Sequence, residues 1–239
     1  MSWQDDLRTQ GFCRFESLTP QPLLKAAREA IERDLRENYR PERQLEYDHQ
    51  SYCPDLRGTP PIMNLLTESP IRDVLDEALG LDEIGWDGGQ IAIRRAHNHP
   101  QPEEPVPHID GFASGLNGLE ERRVYSLTAL VGVFLTPVVR PFAGNFTVWP
   151  GSHYVYESYF RRRGIRAMSE PMPTPDVGRP TQLMCGAGDA VLFHYQLAHT
   201  AAVNTSDDDR IAVYFRIWLH AMEQDRWRYL TNIWDGWKI

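Results

Sequence analysis

Three side chains able to bind a metal and one able to bind a carboxylate stand in a suggestive pattern in this chain. They are His108 and Asp110, two positions apart, then His199 far downstream, then Arg210. On a strand, side chains alternate with period two, so His108 and Asp110 project from one face. A second histidine brought alongside completes a 2-His-1-carboxylate facial triad, the donor set that holds Fe(II) on one side and leaves its other positions open. Arg210 follows where a returning strand can aim a guanidinium into the same cavity, and a guanidinium meets a carboxylate fork to fork. An open metal site with a carboxylate anchor is the equipment of an oxygenase that consumes a 2-oxo acid.

Each member of this set has a competing reading. Pro107-His108-Ile109-Asp110-Gly111 has turn-forming residues at both ends and reads equally as a plain turn. His194 competes for the third ligand position because it ends the apolar run Ala190-Val191-Leu192-Phe193. His199 is preferred, since it opens the next extended segment and precedes Arg210; His194 is then a supporting or surface residue. Arg210 follows the acidic turn Asp207-Asp208-Asp209, yet it opens a strand to Trp218 whose two faces are both largely apolar. One of those faces must line something enclosed, and Arg210 shares its face with Ala212, Tyr214, Arg216 and Trp218. Arg216 sits roughly 20 Å further along the strand and cannot serve the same carboxylate, which leaves Arg210 as the anchor. His153, in Pro150-Gly151-Ser152-His153, reads as a residue that pins a turn rather than as a ligand.

Several elements must position these side chains. Pro22 to Glu37 has apolar residues at helical spacing, with Thr19 as a candidate N-cap. Ser69 to Leu79 reads as a second helix, with Ser69 as its cap, Pro70 at the first helical position and Gly80 after its end. Pro41 to Pro61 between them reads as a polar loop. Strand candidates are Gln90 to Arg94, Tyr125 to Leu135, Asn145 to Trp149, Thr181 to Cys185, Ala190 to His194 and Arg210 to Leu219. Tyr154 to Met168 reads either as a helix or as a long excursion between strands. Many short strands separated by Gly/Pro turns predict a sandwich or jelly roll.

Bulk properties narrow the function further. With 239 residues, 41% of them hydrophobic and 24% charged, the chain has the composition of an ordinary soluble globular domain. Its net charge of −8 argues against a general nucleic-acid binder, whose affinity depends on phosphate neutralisation. Cys13, Cys53 and Cys185 are scattered and odd in number, which predicts a reducing compartment. The N-terminus lacks the pattern of a signal peptide. The most apolar stretch, Leu127 to Val139, is too short to span a bilayer. No membrane and a cytoplasmic location are expected.

The order of segments adds a resemblance. His108-Ile109-Asp110 is followed by Gly144-Asn145-Phe146-Thr147-Val148-Trp149-Pro150-Gly151-Ser152-His153, then by Gly188-Asp189-Ala190-Val191-Leu192-Phe193 running on to His199 and Arg210. In this order the chain, roughly from Trp86 to Leu219, resembles the phytanoyl-CoA dioxygenase (PhyH) family of Fe(II)- and 2-oxoglutarate-dependent oxygenases. The resemblance implies a mainly β protein with a double-stranded β-helix (jelly-roll, cupin-like) core and N-terminal helices packed on its outside. The whole chain, 1–239, is then one domain: a helical part at 1–85, the jelly roll at 86–219 and an extension at 220–239. It implies His108, Asp110 and His199 as iron ligands, and Arg210 on the distal carboxylate of 2-oxoglutarate. Gln90, Arg94 and Thr128 map by position onto further polar contacts to this cosubstrate. Ala201 stands where the family often has a hydroxyl, which leaves Thr200 or Thr128 to replace that contact. Related halogenases replace the carboxylate ligand with a small residue, so Asp110 favours an oxidation by O2, most simply hydroxylation of a small organic molecule.

The substrate is not legible. The basic run Arg161, Arg162, Arg163 and Arg166 suits either an anionic group or a solvated helix face. His97 and His99 suit either a lid or a surface loop. Trp227, Tyr229, Trp234 and Trp237 suit a closing flap but read better as packing. Two other classes stay open: a cupin-like metalloenzyme that does not use 2-oxoglutarate, and a non-catalytic binding protein on the same fold.

Overall fold

The computed structural model describes residues 2–121, 124–125 and 127–239. Ser2 and Asp5 form a reciprocal capping box on helix α1 (Trp3–Gln10), and Gly11 closes it in a left-handed conformation. Strand β1 (Phe12–Phe15) follows and joins the main sheet, so the N-terminal part is not only an outer helical layer.

Helix α2 runs from Gln21 to Asn38, close to its expected span, but Pro20 occupies the cap position and Thr19 makes no capping bond. The segment expected to be a polar loop contains a helical turn, α3 (Gln44–His49), and Pro60 opens a full helix, α4 (Pro60–Thr67). Tyr47 and Tyr52 stack at 5.5 Å, and Tyr52 bridges to Ile91, which ties this segment to the sheet. Helix α5 (Ile71–Leu79) begins one residue later than expected, with Pro70 in the cap position. Ser69 donates its hydroxyl to the Leu65 carbonyl at 2.7 Å, closing α4 rather than opening α5.

The strands then follow as β2 (Ile84–Trp86), β3 (Gln90–Arg94), β4 (Ala129–Phe134), β5 (Phe146–Val148), β6 (Thr181–Gln182), β7 (Ala190–His194), β8 (His199–Ala201) and β9 (Arg210–Leu219). All pairings are antiparallel. The larger sheet has the order β1-β7-β4-β9-β2, with β3 also beside β9, and the smaller has the order β6-β5-β8. This is the jelly-roll arrangement expected. The expected strand from Tyr125 is shorter, and Ser126 within it lies outside the described residues. Thr181 to Cys185 pairs as a strand only at its start, although Cys185 makes one bridge to Val138. The ambiguous segment is helix α6 (Ser152–Arg163) followed by a short 3-10 turn.

Alternation along β9 divides the molecule. Val213, Phe215 and Ile217 are fully buried, and Ile62 of α4 packs beside Val213 and Phe215 where Gly89 leaves room. Each such burial contributes about 1.5–3 kcal/mol. The opposite face, with Arg210, Tyr214 and Arg216, turns toward the smaller sheet and a cavity of about 860 Å³. The extension adds helix α7 (Arg226–Thr231), and Trp234 and Trp237 pack around His194. Among the described residues no helix is long and apolar enough to cross a membrane.

Candidate active site

His108 lies outside the named strands but is extended, exchanging both backbone hydrogen bonds with His199 at 3.1 and 2.9 Å. That pairing places the two imidazoles side by side, with ring centroids 4.6 Å apart. The turn reading of this segment also holds, two residues later. Gly111 adopts φ +93°, and a Cβ there would sit 2.2 Å from the Tyr125 carbonyl, so only glycine lets the chain turn back.

The ligand atoms of His108, Asp110 and His199 lie within 4.8 Å of one another. Asp110 Oδ1 is 3.8 Å from His108 Nε2 and 3.7 Å from His199 Nε2. His199 Nδ1 is 2.8 Å from the Leu197 carbonyl. A carbonyl only accepts, so Nδ1 carries the proton and the Nε2 lone pair faces Asp110. Phe146 and Phe193 wall His199 at 5.7 and 5.2 Å. Desolvation, and then the neighbouring His199, push His108 down to about 4. Burial opposes ionisation of Asp110, but Arg216 and the histidines outweigh it and hold the carboxyl at about 2. At neutral pH the three groups are therefore two neutral imidazoles and a carboxylate, the protonation state a metal requires.

Arg210 lines the same cavity and is 2% exposed. Its Nε donates to the Gly144 carbonyl at 2.7 Å and Nη1 to the Ala92 carbonyl at 3.2 Å. Gly144 is at φ +74°, and a Cβ there would come within 2.8 Å of Arg94 and 3.0 Å of Arg210. The glycine of the Gly144-Asn145 segment thus lets the backbone cross the two arginines. Among the described residues neither Arg210 nor Arg94, its register partner on β3, has an acidic partner. Burial lowers the Arg210 pKa, and an unpaired buried cation is costly unless an anion completes it.

Tyr214, which the strand pattern placed on this face without a role, lines the cavity with a buried hydroxyl that has no hydrogen-bond partner among the described residues. Its ring rests over Gly132, where a Cβ would approach to 2.7 Å. An orphaned hydroxyl and an unpaired guanidinium in one cavity, with three convergent metal donors, fit a dicarboxylate that bridges the two. The residues present therefore suit both Fe(II) and 2-oxoglutarate.

The other expected cosubstrate contacts fare differently. Arg94 lines the cavity. Gln90 does too, but its amide oxygen accepts from Arg216 Nη1 at 2.8 Å. Thr128 is not among the lining residues. Its hydroxyl accepts from the Leu219 amide at 3.0 Å and lies 3.2 Å from Met222 Sδ, because it sits just before the start of β4, against the end of β9. Thr200 and Ala201 line the cavity. Sequence reasoning missed Arg216, whose Nε donates to Asp110 Oδ2 at 2.9 Å. Period-two alternation had already put Arg216 on the enclosed face, and a cation there calls for an acidic partner.

The remaining candidates are structural. His194 binds the Ile233 carbonyl through Nε2 at 2.9 Å and accepts from the Gln196 amide through Nδ1 at 3.0 Å. His153 binds the Arg8 carbonyl at 3.0 Å, linking α6 to α1. His97 pairs with Asp207, and His99 with Glu103. Arg161 and Arg163 pair with Glu157 and Glu170 on the surface.

Residues 7–212 match the family model of phytanoyl-CoA dioxygenase (PhyH), and the chain belongs to that family. No curated protein matches it in sequence. Solved structures share the fold at low identity. The α-ketoglutarate-dependent carbocyclase SnoK from nogalamycin biosynthesis aligns at 20% identity and TM-score 0.60, over 91% of this chain and 83% of its own. The non-heme monooxygenase ThoJ aligns at 16% and 0.62, over 91% and 77%. HygX from Streptomyces hygroscopicus, with nickel and 2-oxoglutarate bound, aligns at 14% and 0.55, over 91% and 86%.

Proposed function

We propose that this protein is an Fe(II)- and 2-oxoglutarate-dependent oxygenase that hydroxylates an unactivated C–H bond of a small organic molecule and releases succinate and CO2. The observation that carries the reading is the pairing of two incomplete sites in one cavity. Three metal donors converge at one place, and an unpaired buried Arg210 waits beside the orphaned Tyr214 hydroxyl at another.

In this reading His108, Asp110 and His199 hold the metal. Arg210, with Arg94 beside it and Tyr214 donating, holds the distal carboxylate of the cosubstrate. Bound there, iron and 2-oxoglutarate supply the O2-dependent oxidation that such a site performs. The chain contributes position and exclusion of water: Phe146, Phe193 and Leu130 are buried walls of the cavity. A carboxylate at 110 leaves no vacancy for a halide, which supports hydroxylation over halogenation. The cavity exceeds the needs of the cosubstrate, and Tyr47, Phe112, Leu119 and Met172 near its wall suit a partly apolar small molecule. Three free, buried cysteines agree with a cytoplasmic location.

Anaerobic addition of Fe(II) and then 2-oxoglutarate is expected to develop a visible charge-transfer band. No band with the intact protein would sink the reading. With a substrate found by its stimulation of succinate formation, incorporation of label from 18O2 into product tests hydroxylation against other oxidations.

A further inference from the structure

Arg216 divides the two oxygens of Asp110. Its Nε donates to Oδ2 at 2.9 Å, while Oδ1 is the oxygen turned toward the histidines, at 3.8 and 3.7 Å from their Nε2 atoms. Gln90 in turn accepts from Arg216 Nη1 at 2.8 Å, and the β3–β9 pairing holds Gln90 opposite Tyr214. A carboxylate turns easily about its last torsion, which is broad and two-fold. Left alone, Asp110 can offer either oxygen or both, and a second oxygen would take a position on the metal that the cosubstrate or O2 needs. A guanidinium suits the opposite task, being planar, permanently charged and rigid in its donor geometry.

We propose that Arg216 is a positioning residue that fixes Asp110 as a one-oxygen ligand, and that Gln90 acts by orienting Arg216. The inference rests on the proposed metal site. It also reassigns Gln90, whose amide oxygen serves the metal ligand and not the cosubstrate. The two arginines on the cavity face of β9 then have separate duties: Arg210 takes an anion from outside the chain, and Arg216 takes one from within it.

The test uses Co(II), which binds such sites without turnover, and reads both affinity and ligand-field spectrum. Arg216→Met is expected to weaken Co(II) binding about 10- to 100-fold, the usual effect of losing a partner of a metal ligand. Its spectrum should shift as Asp110 becomes free to offer two oxygens. Arg216→Lys should recover only part of the affinity, because an ammonium lacks the fixed fork. Gln90→Leu should weaken binding several-fold, and the double variant should be no worse than Arg216→Met, since residues acting in series are not additive. Wild-type affinity and spectrum in Arg216→Met overturn the inference while leaving the metal site standing. Intact protein that binds no Co(II) overturns both. If Arg216→Met does not fold by circular dichroism, Gln90→Leu decides: unchanged Co(II) binding there overturns the inference.

Discussion

Among the described residues two histidine pairs lie ring against ring, and they have opposite fates. His153 and His194 are fully buried, 5.8 Å apart by ring centroid, and packed by Tyr154, Trp234 and Trp237. Burial pushes their pKa values down to about 4 and about 3. His108 and His199 are as close and are also held neutral by desolvation. The difference lies in where the nitrogens go. His194 spends both on the backbone. His153 spends Nε2 on Arg8 and keeps a buried Nδ1 without a partner among the described residues, but it shares no ligand cluster with a carboxylate there. His199 spends only Nδ1, and its Nε2 faces Asp110 in a cavity. A perturbed histidine becomes a ligand candidate only when one nitrogen remains free and a carboxylate shares its space.

The contrast can be broken most directly by exchange. His199→Ala is expected to lose Fe(II) binding by more than about 100-fold and with it the charge-transfer band, since one of three donors is gone. His194→Leu, measured the same way, should bind Fe(II) like the intact protein once folded; loss of binding there would collapse the distinction. Next in size, Arg210→Met should weaken 2-oxoglutarate binding by about 100-fold while leaving Fe(II) affinity near that of the intact protein. Two charge-assisted hydrogen bonds are worth about that much. Isothermal titration of the metal-loaded protein checks it.

The structural pair also leaves a signature in pH, to which His108 and His199 add in the same direction. The unfolded chain protonates these histidines below about 6.5, whereas the folded chain resists until about 4 for His153 and about 3 for His194. Their neutral burial therefore favours the fold fully above pH 6.5, and that share of stability is lost as pH falls from 6.5 toward 3. The slope is at most about 1.4 kcal/mol per pH unit per histidine. Denaturant melts between pH 4.5 and 7.5 should show it, and His194→Leu should flatten it. The smallest effect belongs to Tyr214→Phe, which removes only the orphaned hydroxyl. It should weaken 2-oxoglutarate binding about 3- to 10-fold, in line with one hydrogen bond; no change would assign that hydroxyl to something else.

Local pattern carried a large part of the site. The alternation in β9 placed Arg210 and Tyr214 on an enclosed face, and Gly111 and Gly144 mark close approaches that only glycine permits. The N-terminal helix and strand were also legible in principle, because Ser2 and Asp5 have capping-box spacing and Gly11 follows. Helix α3 was not, since a six-residue helix with one buried residue has too short a stripe to show periodicity. Thr128 was misplaced because the apolar pattern does not reveal that the strand begins only at Ala129, just after it.

The sequence by itself determined which residue types were available and in what order, because hydrophobic period and turn chemistry are local. It thereby determined a β class of sandwich or jelly roll, the His108–Asp110 pair and the face that Arg210 shares with Tyr214. Only the tertiary structure decided that His199 and not His194 stands beside the His108–Asp110 pair, since that depends on the His108–His199 backbone pairing between segments far apart in the chain. It likewise decided that Arg216 meets Asp110 and Gln90, a contact made across the cavity by side chains from three separate segments. Spacing along one chain sets the direction of a side chain; what it touches is set by the segment that folds against it.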